Sequence, residues 1–83
     1  MSVGKTVYFH GAGWCPQCHQ VQPTVEKLCK QRSVKFVYVD IDSEAPKIPN
    51  LTSIPAILID TPNEEPVVLR SSAVNVRTLA VAI

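Results

Sequence analysis

Hydrophobic and polar residues alternate with different periods along this chain, and each change of period predicts an element. Thr6-Val7-Tyr8-Phe9-His10 is a run of β-branched and aromatic residues closed by Gly11-Ala12-Gly13, which predicts a buried strand ending in a tight loop. From Pro16 the period lengthens. Val21, Val25, Leu28 and Cys29 fall at i, i+4, i+7 and i+8, one face of a helix that reaches to about Arg32. Pro23 lies inside it, removes one hydrogen bond and predicts a kink. Val34 to Ile41 alternates and is β-branched, a second strand; a helix between two strands makes a parallel βαβ unit with a right-handed crossover. Ser43 to Leu51 contains Pro46 and Pro49 and supports at most a short helix. Ala56-Ile57-Leu58-Ile59 and Val67-Val68-Leu69 are two further strands. The turn-rich Thr61-Pro62-Asn63-Glu64-Glu65-Pro66 between them predicts a hairpin, with Pro66 suited to the start of an edge strand. Val76, Leu79, Ala80 and Ile83 predict a last short helix. The pattern is that of an α/β chain, β-α-β-(short α)-β-β-α, forming one domain over residues 1–83, with a four-stranded mixed sheet and helices on both faces.

Composition narrows the function classes. At 83 residues, 46% hydrophobic and 18% charged, the chain has the makings of one small globular core and not of a disordered tail. A formal net charge of +1 leaves no electrostatic footprint for nucleic acid or anionic lipid. The densest basic run, Lys27, Lys30 and Arg32, complements a helix C-terminus. No apolar stretch approaches the ~20 residues that span a bilayer, and Met1-Ser2-Val3-Gly4-Lys5 lacks the apolar region of a signal peptide. Three cysteines, two of them spaced C-x-x-C, point away from a secreted disulfide framework and toward redox or metal chemistry in a reducing compartment, hence a cytoplasmic location.

The candidate chemistry lies where the first strand hands over to the first helix, in Gly13-Trp14-Cys15-Pro16-Gln17-Cys18. Pro16 suits the first helical position, where its missing N–H would have no partner anyway. That places Cys15 at the N-cap and Cys18 at the third helical position. A sulfur at the N-cap can accept hydrogen bonds from the free N–H groups of the first turn, and the helix dipole favours negative charge there. Both effects favour thiolate over thiol, so Cys15 is the expected attacking sulfur. Cys18, one turn further in, is expected to stay protonated until needed, and the two are close enough to form and break a disulfide. Cys15-Pro16-Gln17-Cys18-His19 also spells the C-x-x-C-H haem-attachment pattern, but four strand-like segments and a lone methionine at position 1 argue against that fold. A zinc or iron–sulfur site needs four ligands. Cys29 is roughly 16 Å along the helix axis from Cys18 and reads as a small core hydrophobe, so neither metal nor resident cofactor is expected.

These residues together resemble the thioredoxin family, over nearly the whole chain. Trp14-Cys15-Pro16-Gln17-Cys18 resembles its W-C-x-x-C active site, and Pro23 falls where thioredoxins carry the proline of the active-site helix. Val39-Asp40-Ile41-Asp42 resembles the end of the next strand, and Ser53-Ile54-Pro55-Ala56 the I-P-T segment. The resemblance implies a cis Ile54–Pro55 bond. It also implies a substrate-docking surface built from Trp14, Pro16, Gln17, Ile54 and Pro55, with catalysis by Cys15 and Cys18. Several positions depart from the family pattern. The buried aspartate that precedes the first cysteine by six residues is here Phe9, and the buried lysine of the next strand is Tyr38. The proton-transfer role of that pair is thus left without an owner; His10 or a water is a candidate, and a purely structural role for His10 is the alternative. Cys15-Pro16 is also similar to glutaredoxins, but their Gly-Gly segment is replaced by Ser71-Ser72, which argues against a dedicated glutathione site.

The implied function is a small, monomeric dithiol–disulfide oxidoreductase that reduces disulfides in partner proteins and is recycled by a flavoprotein reductase or glutathione. Small thioredoxin-like donors to ribonucleotide reductase have this form. Two alternatives stand beside it: a glutaredoxin that uses glutathione directly, and a non-catalytic accessory subunit or cluster-binding module on the same fold.

Overall fold

The computed structural model describes residues 4–70 and 73–83, so Ser71 and Ser72 lie outside the described residues. The elements are β1 (Thr6–Gly11), α1 (Pro16–Gln31), β2 (Lys35–Asp40), β3 (Ala56–Asp60), β4 (Val67–Arg70) and α2 (Val76–Ala82). They form one sheet in the order β2-β1-β3-β4. β2 runs parallel to β1 through the α1 crossover; β3 is antiparallel to β1 and β4 to β3, as the hairpin signal predicts. β4 is an edge strand, and Pro66 immediately precedes it.

The strand register decides what each face carries. Phe9 sits opposite Tyr38 and Ile57, Val7 opposite Phe36 and Ile59, and Leu69 opposite Ile57, so these side chains share one face. Val7, Phe9, Ile57, Ile59 and Leu69 form a single buried cluster with Val25, Leu28 and Cys29 of α1 and Leu79 of α2. Both helices therefore cover the same face, which corrects the expectation of helices on both. The other face carries the alternate residues of β1, Tyr8 and His10. The buried end of that face is covered by the irregular segment 41–55. The short helix expected at Ser43 to Leu51 is absent as well. Pro46 and Pro49 supply no N–H donors and Asn50 adopts a positive φ of 56°, so no helical ladder can propagate. The segment is held down instead by the Lys47 N–H, which donates to His10 Nε2 at 2.9 Å, and by the full burial of Ile48.

Local chemistry fixes the helix ends. At the end of α1, the Val34 N–H donates to the Cys29 carbonyl at 2.8 Å and the Ser33 N–H to Lys30 at 3.3 Å, with Ser33 left-handed at φ 58°. This is a Schellman closure, with Val34 and Cys29 both buried in the core as its apolar contact. The helix runs through Pro23, whose ring faces solvent. In α2, Asn75 caps the first turn by accepting the Thr78 N–H at 2.9 Å, worth about 1 kcal/mol. Lys5 Nζ donates to the Ala82 carbonyl and Arg32 to the Ala80 carbonyl, each at 3.4 Å, placing positive charge at the C-terminal end of α2. Among the described residues no helix is long and apolar enough to cross a membrane.

Candidate active site

β1 delivers the chain to a loop whose backbone is folded back on itself: the Cys15 N–H donates to the Ala12 carbonyl at 3.1 Å. Cys15 is extended (φ −97°, ψ 104°), Pro16 starts the helix, and the Cys18 N–H donates to Cys15 Sγ at 3.2 Å. The predicted N-cap geometry is thus realised. Cys15 and Cys18 are joined by a disulfide with their Cα atoms 5.3 Å apart. Their burial is graded, 6% exposed for Cys15 and 1% for Cys18. The Cys18 N–H and the positive end of the helix dipole are both directed at the Cys15 sulfur, the arrangement that stabilises a thiolate.

Side chains absent from the motif hold this loop in place. Trp14 is 65% exposed, yet its indole N–H donates to Asp42 Oδ2 at 2.8 Å. Asp42 is itself placed by Asp40, whose carboxylate accepts the Asp42 N–H at 3.0 Å and the Ser43 hydroxyl at 3.2 Å. His19 Nε2 donates to the Gly13 carbonyl at 2.8 Å, bracing the loop from the helix side. Sequence reasoning passed over Asp42 as an anchor. The Asp40-Ile41-Asp42 alternation at the end of a strand was its one signal, and it says nothing about which side chain it meets.

Next to the cysteines, Trp14, Ile41, Pro46, Leu51, Thr52, Ser53 and Ile54 line an open, mostly apolar groove of about 460 Å³. Trp14 and Ile54 are brought together there. The Ile54–Pro55 bond is cis, as the resemblance implies; Pro55 is buried, and Ile54 packs against the cluster containing both cysteines. Pro16 and Gln17 are exposed on the first turn of α1 and do not line the groove.

His10 is engaged as a bridge between backbone groups. Its Nδ1–H faces the carbonyls of Tyr8 (3.1 Å) and Ala56 (3.3 Å) while Nε2 accepts from Lys47, so both ring nitrogens are committed and the ring is neutral. Burial holds its pKa below 6.5, against a smaller opposing effect of the two carbonyls. It also points to the face opposite Phe9 and α1, away from Cys18. The place of the family's ion pair is taken by two rings: Phe9 is fully buried and stacks with Tyr38, centroids 6.1 Å apart at 22°. Cys29 is free and buried, and burial, with Glu26 adding to it, pushes its thiol up to about 11. That keeps it protonated and unreactive at neutral pH. Among the described residues no group of three or more His, Cys, Asp or Glu is placed to hold a metal ion.

A parallel βαβ unit with a C-x-x-C disulfide at its helix N-terminus, completed by an antiparallel hairpin and a cis proline, defines a thiol–disulfide oxidoreductase. The chain belongs to the thioredoxin family, whose model matches residues 5–80. Its structure is similar to that of the Fasciola hepatica thioredoxin, with 28% sequence identity and a TM-score of 0.79 over 95% of this chain and 77% of that one. Oxidised thioredoxin O2 from Arabidopsis thaliana matches with 24% identity and a TM-score of 0.74 over 93% of this chain and 70% of that one. Thioredoxin F from spinach chloroplast matches with 22% identity and a TM-score of 0.77 over 95% and 67%. These last two speak for the fold. No curated protein sequence matches the chain significantly.

Proposed function

We propose that this protein reduces disulfides in partner proteins, with Cys15 as the attacking sulfur and Cys18 as the resolving one. The observation that carries this reading is the Cys18 N–H donated to Cys15 Sγ at the mouth of α1, with Cys18 the more deeply buried of the pair. In the reduced protein the Cys15 thiolate attacks one sulfur of the partner's disulfide; a Cys15–partner bond forms and the partner's second sulfur leaves as a thiolate. Cys18 then loses its proton and attacks Cys15 Sγ. The Cys15–Cys18 bond forms, the partner's first sulfur leaves, and two electrons have passed to the partner. The apolar groove beside Trp14 and Ile54 supports docking of an extended segment that carries an apolar side chain near its disulfide. A flavoprotein reductase is the recycling partner most in keeping with the thioredoxin match, a reducing cytoplasm is the fitting location, and a reductive enzyme such as ribonucleotide reductase is one suitable client.

Insulin-disulfide reduction tests the assignment. Cys15→Ser should abolish turnover, whereas Cys18→Ser should accumulate covalent adducts with the substrate. Equal partial losses in the two variants would overturn the roles. Turnover with glutathione as the sole reductant would select the glutaredoxin alternative.

A further inference from the structure

The resolving step needs a route for the Cys18 proton, and the polar side-chain atom that shares the space at Gly11 with Cys18 belongs to neither His10 nor an acid. Gly11, the last residue of β1, leaves a gap that shows what meets there. A Cβ placed on it would lie 3.2 Å from the Tyr38 hydroxyl oxygen, 3.2 Å from Phe9 Cε1 and 3.3 Å from Cys18 Cβ. One point no larger than a methyl group thus touches both the phenol oxygen and the side chain of the resolving cysteine. The Tyr38 ring is held by its stack on Phe9. Its hydroxyl makes no hydrogen bond among the described residues, and since no buried polar side-chain atom there lacks a partner, the oxygen reaches solvent. The phenol oxygen and Cys18 Cβ therefore lie within about 6.5 Å of each other across the space at Gly11, near enough for one water to bridge oxygen and thiol, and the oxygen meets solvent on its other side.

We propose that Tyr38 is the proton-relay residue of the resolving step, a reading that rests on the proposed function above. As Cys18 ionises, its proton passes through a bridging water to the Tyr38 oxygen while the hydroxyl proton passes outward to solvent. The phenol ends neutral, and its O–H can then support the Cys18 thiolate through the same water. The thiolate attacks Cys15 Sγ, the Cys15–partner bond breaks, and the departing partner thiolate takes its proton from solvent. No oxidant or base beyond water is required. The charged groups facing the phenol are Asp40 on its own strand and Asp42 on the following turn. From β1 it meets Phe9 and Gly11, and across the space at Gly11 it faces Cys18 of α1, all uncharged. Burial first, and then these two carboxylates, raise the Tyr38 pKa above 10, which keeps the hydroxyl protonated and fit to relay a proton without ionising.

The aromatic disulfide 5,5′-dithiobis(2-nitrobenzoate), mixed with reduced protein, reads the two chemical steps separately. Attack by Cys15 releases a first coloured thiolate, and resolution by Cys18 releases a second. Tyr38→Phe keeps the ring on Phe9 and removes only the hydroxyl. It should slow the second release about tenfold at neutral pH and move its pH midpoint up by about one unit, leaving the first release within about twofold of wild type. Gly11→Ala puts a methyl group between the hydroxyl and Cys18 with Tyr38 retained, and should give the same selective defect. A second release with wild-type rate and pH midpoint in either folded variant overturns the relay. Absence of the first release from the unmodified protein would instead remove the disulfide-reductase reading beneath it.

Discussion

His10 shows how a single residue can be read correctly as buried and still have a function that only the fold reveals. It joins three pieces of backbone, accepting the Lys47 N–H on one ring nitrogen and facing the Tyr8 and Ala56 carbonyls with the other. Only the neutral ring can do this, since protonation of Nε2 would turn the acceptor toward Lys47 into a donor. The folded pKa lies below the unfolded value of 6.5, so the unfolded state binds more protons as pH falls through this range. The stabilisation from His10 is fully present above pH 6.5, declines below it and levels off once the depressed folded pKa is passed. His10→Phe, which keeps a ring but leaves the Lys47 N–H unpaired, should lower stability by roughly 1–3 kcal/mol at pH 7.5. The gap between variant and wild type in urea unfolding should narrow at pH 5; a gap that widened on acidification would contradict the neutral, bridging ring. At this scale the two active cysteines were legible in the sequence because helix N-capping is local, fixed by Pro16 and the three-residue spacing. His10, Asp42 and Tyr38 were not. Their partners lie across the sheet or in segment 41–55, and no spacing along the chain encodes such a meeting.

Among the elements, α1 carries most of the burden, because it both presents the disulfide and supplies one wall of the core. Its start is specified by Pro16 and Cys15 and its buried stripe by Val25, Leu28 and Cys29, so its limits could be read to within a residue. Its end closes on a residue poorly suited to the task. Ser33 adopts φ 58° to complete the Schellman hydrogen bonds, a conformation that costs an L residue with a Cβ roughly 1–2 kcal/mol and glycine almost nothing. Ser33→Gly should therefore relieve more strain in the folded state than it adds in unfolded-chain entropy, about 0.4–1 kcal/mol. The expected result is a net gain near 0.5–1 kcal/mol, seen as a higher denaturant midpoint at unchanged m-value, with disulfide-reducing activity unaltered. A loss of stability would show that the Ser33 side chain contributes something its backbone geometry does not disclose. The missing short helix has the opposite lesson. The prolines of Ser43 to Leu51 left room for a short helix that the structure does not form, and the path of the segment follows instead from burial of Ile48 and the bond to His10.

Among the described residues the molecule is lopsided, with α1 and α2 on one face of the sheet and a strap of irregular chain on part of the other. Periodicity in the sequence marks a helix as amphipathic without saying which side of a sheet it will cover. The right-handed crossover fixes α1, but nothing local fixes α2, so its placement beside α1 was not legible. The same strap that covers the second face also builds the groove proposed for docking: Ile41, Pro46, Leu51, Thr52, Ser53 and Ile54 all belong to it. Stability and the groove proposed for docking therefore share an anchor in Ile48, which lies outside the helix-side cluster and is 1% exposed. Ile48→Ala should cost about 2–5 kcal/mol, a large part of the roughly 4–12 kcal/mol that a domain of this size holds in total. With the anchor loosened, the groove wall should lose its shape while the Cys15 N-cap, whose own hydrogen bond comes from Cys18 of α1, keeps its geometry. In conditions where the variant remains folded, KM for a protein disulfide should rise several-fold, whereas attack on a small aromatic disulfide that needs no groove should proceed at the wild-type rate. Equal losses toward both substrates would mean that the strap supports the cysteines directly, and that the groove is not a separable part of the machine.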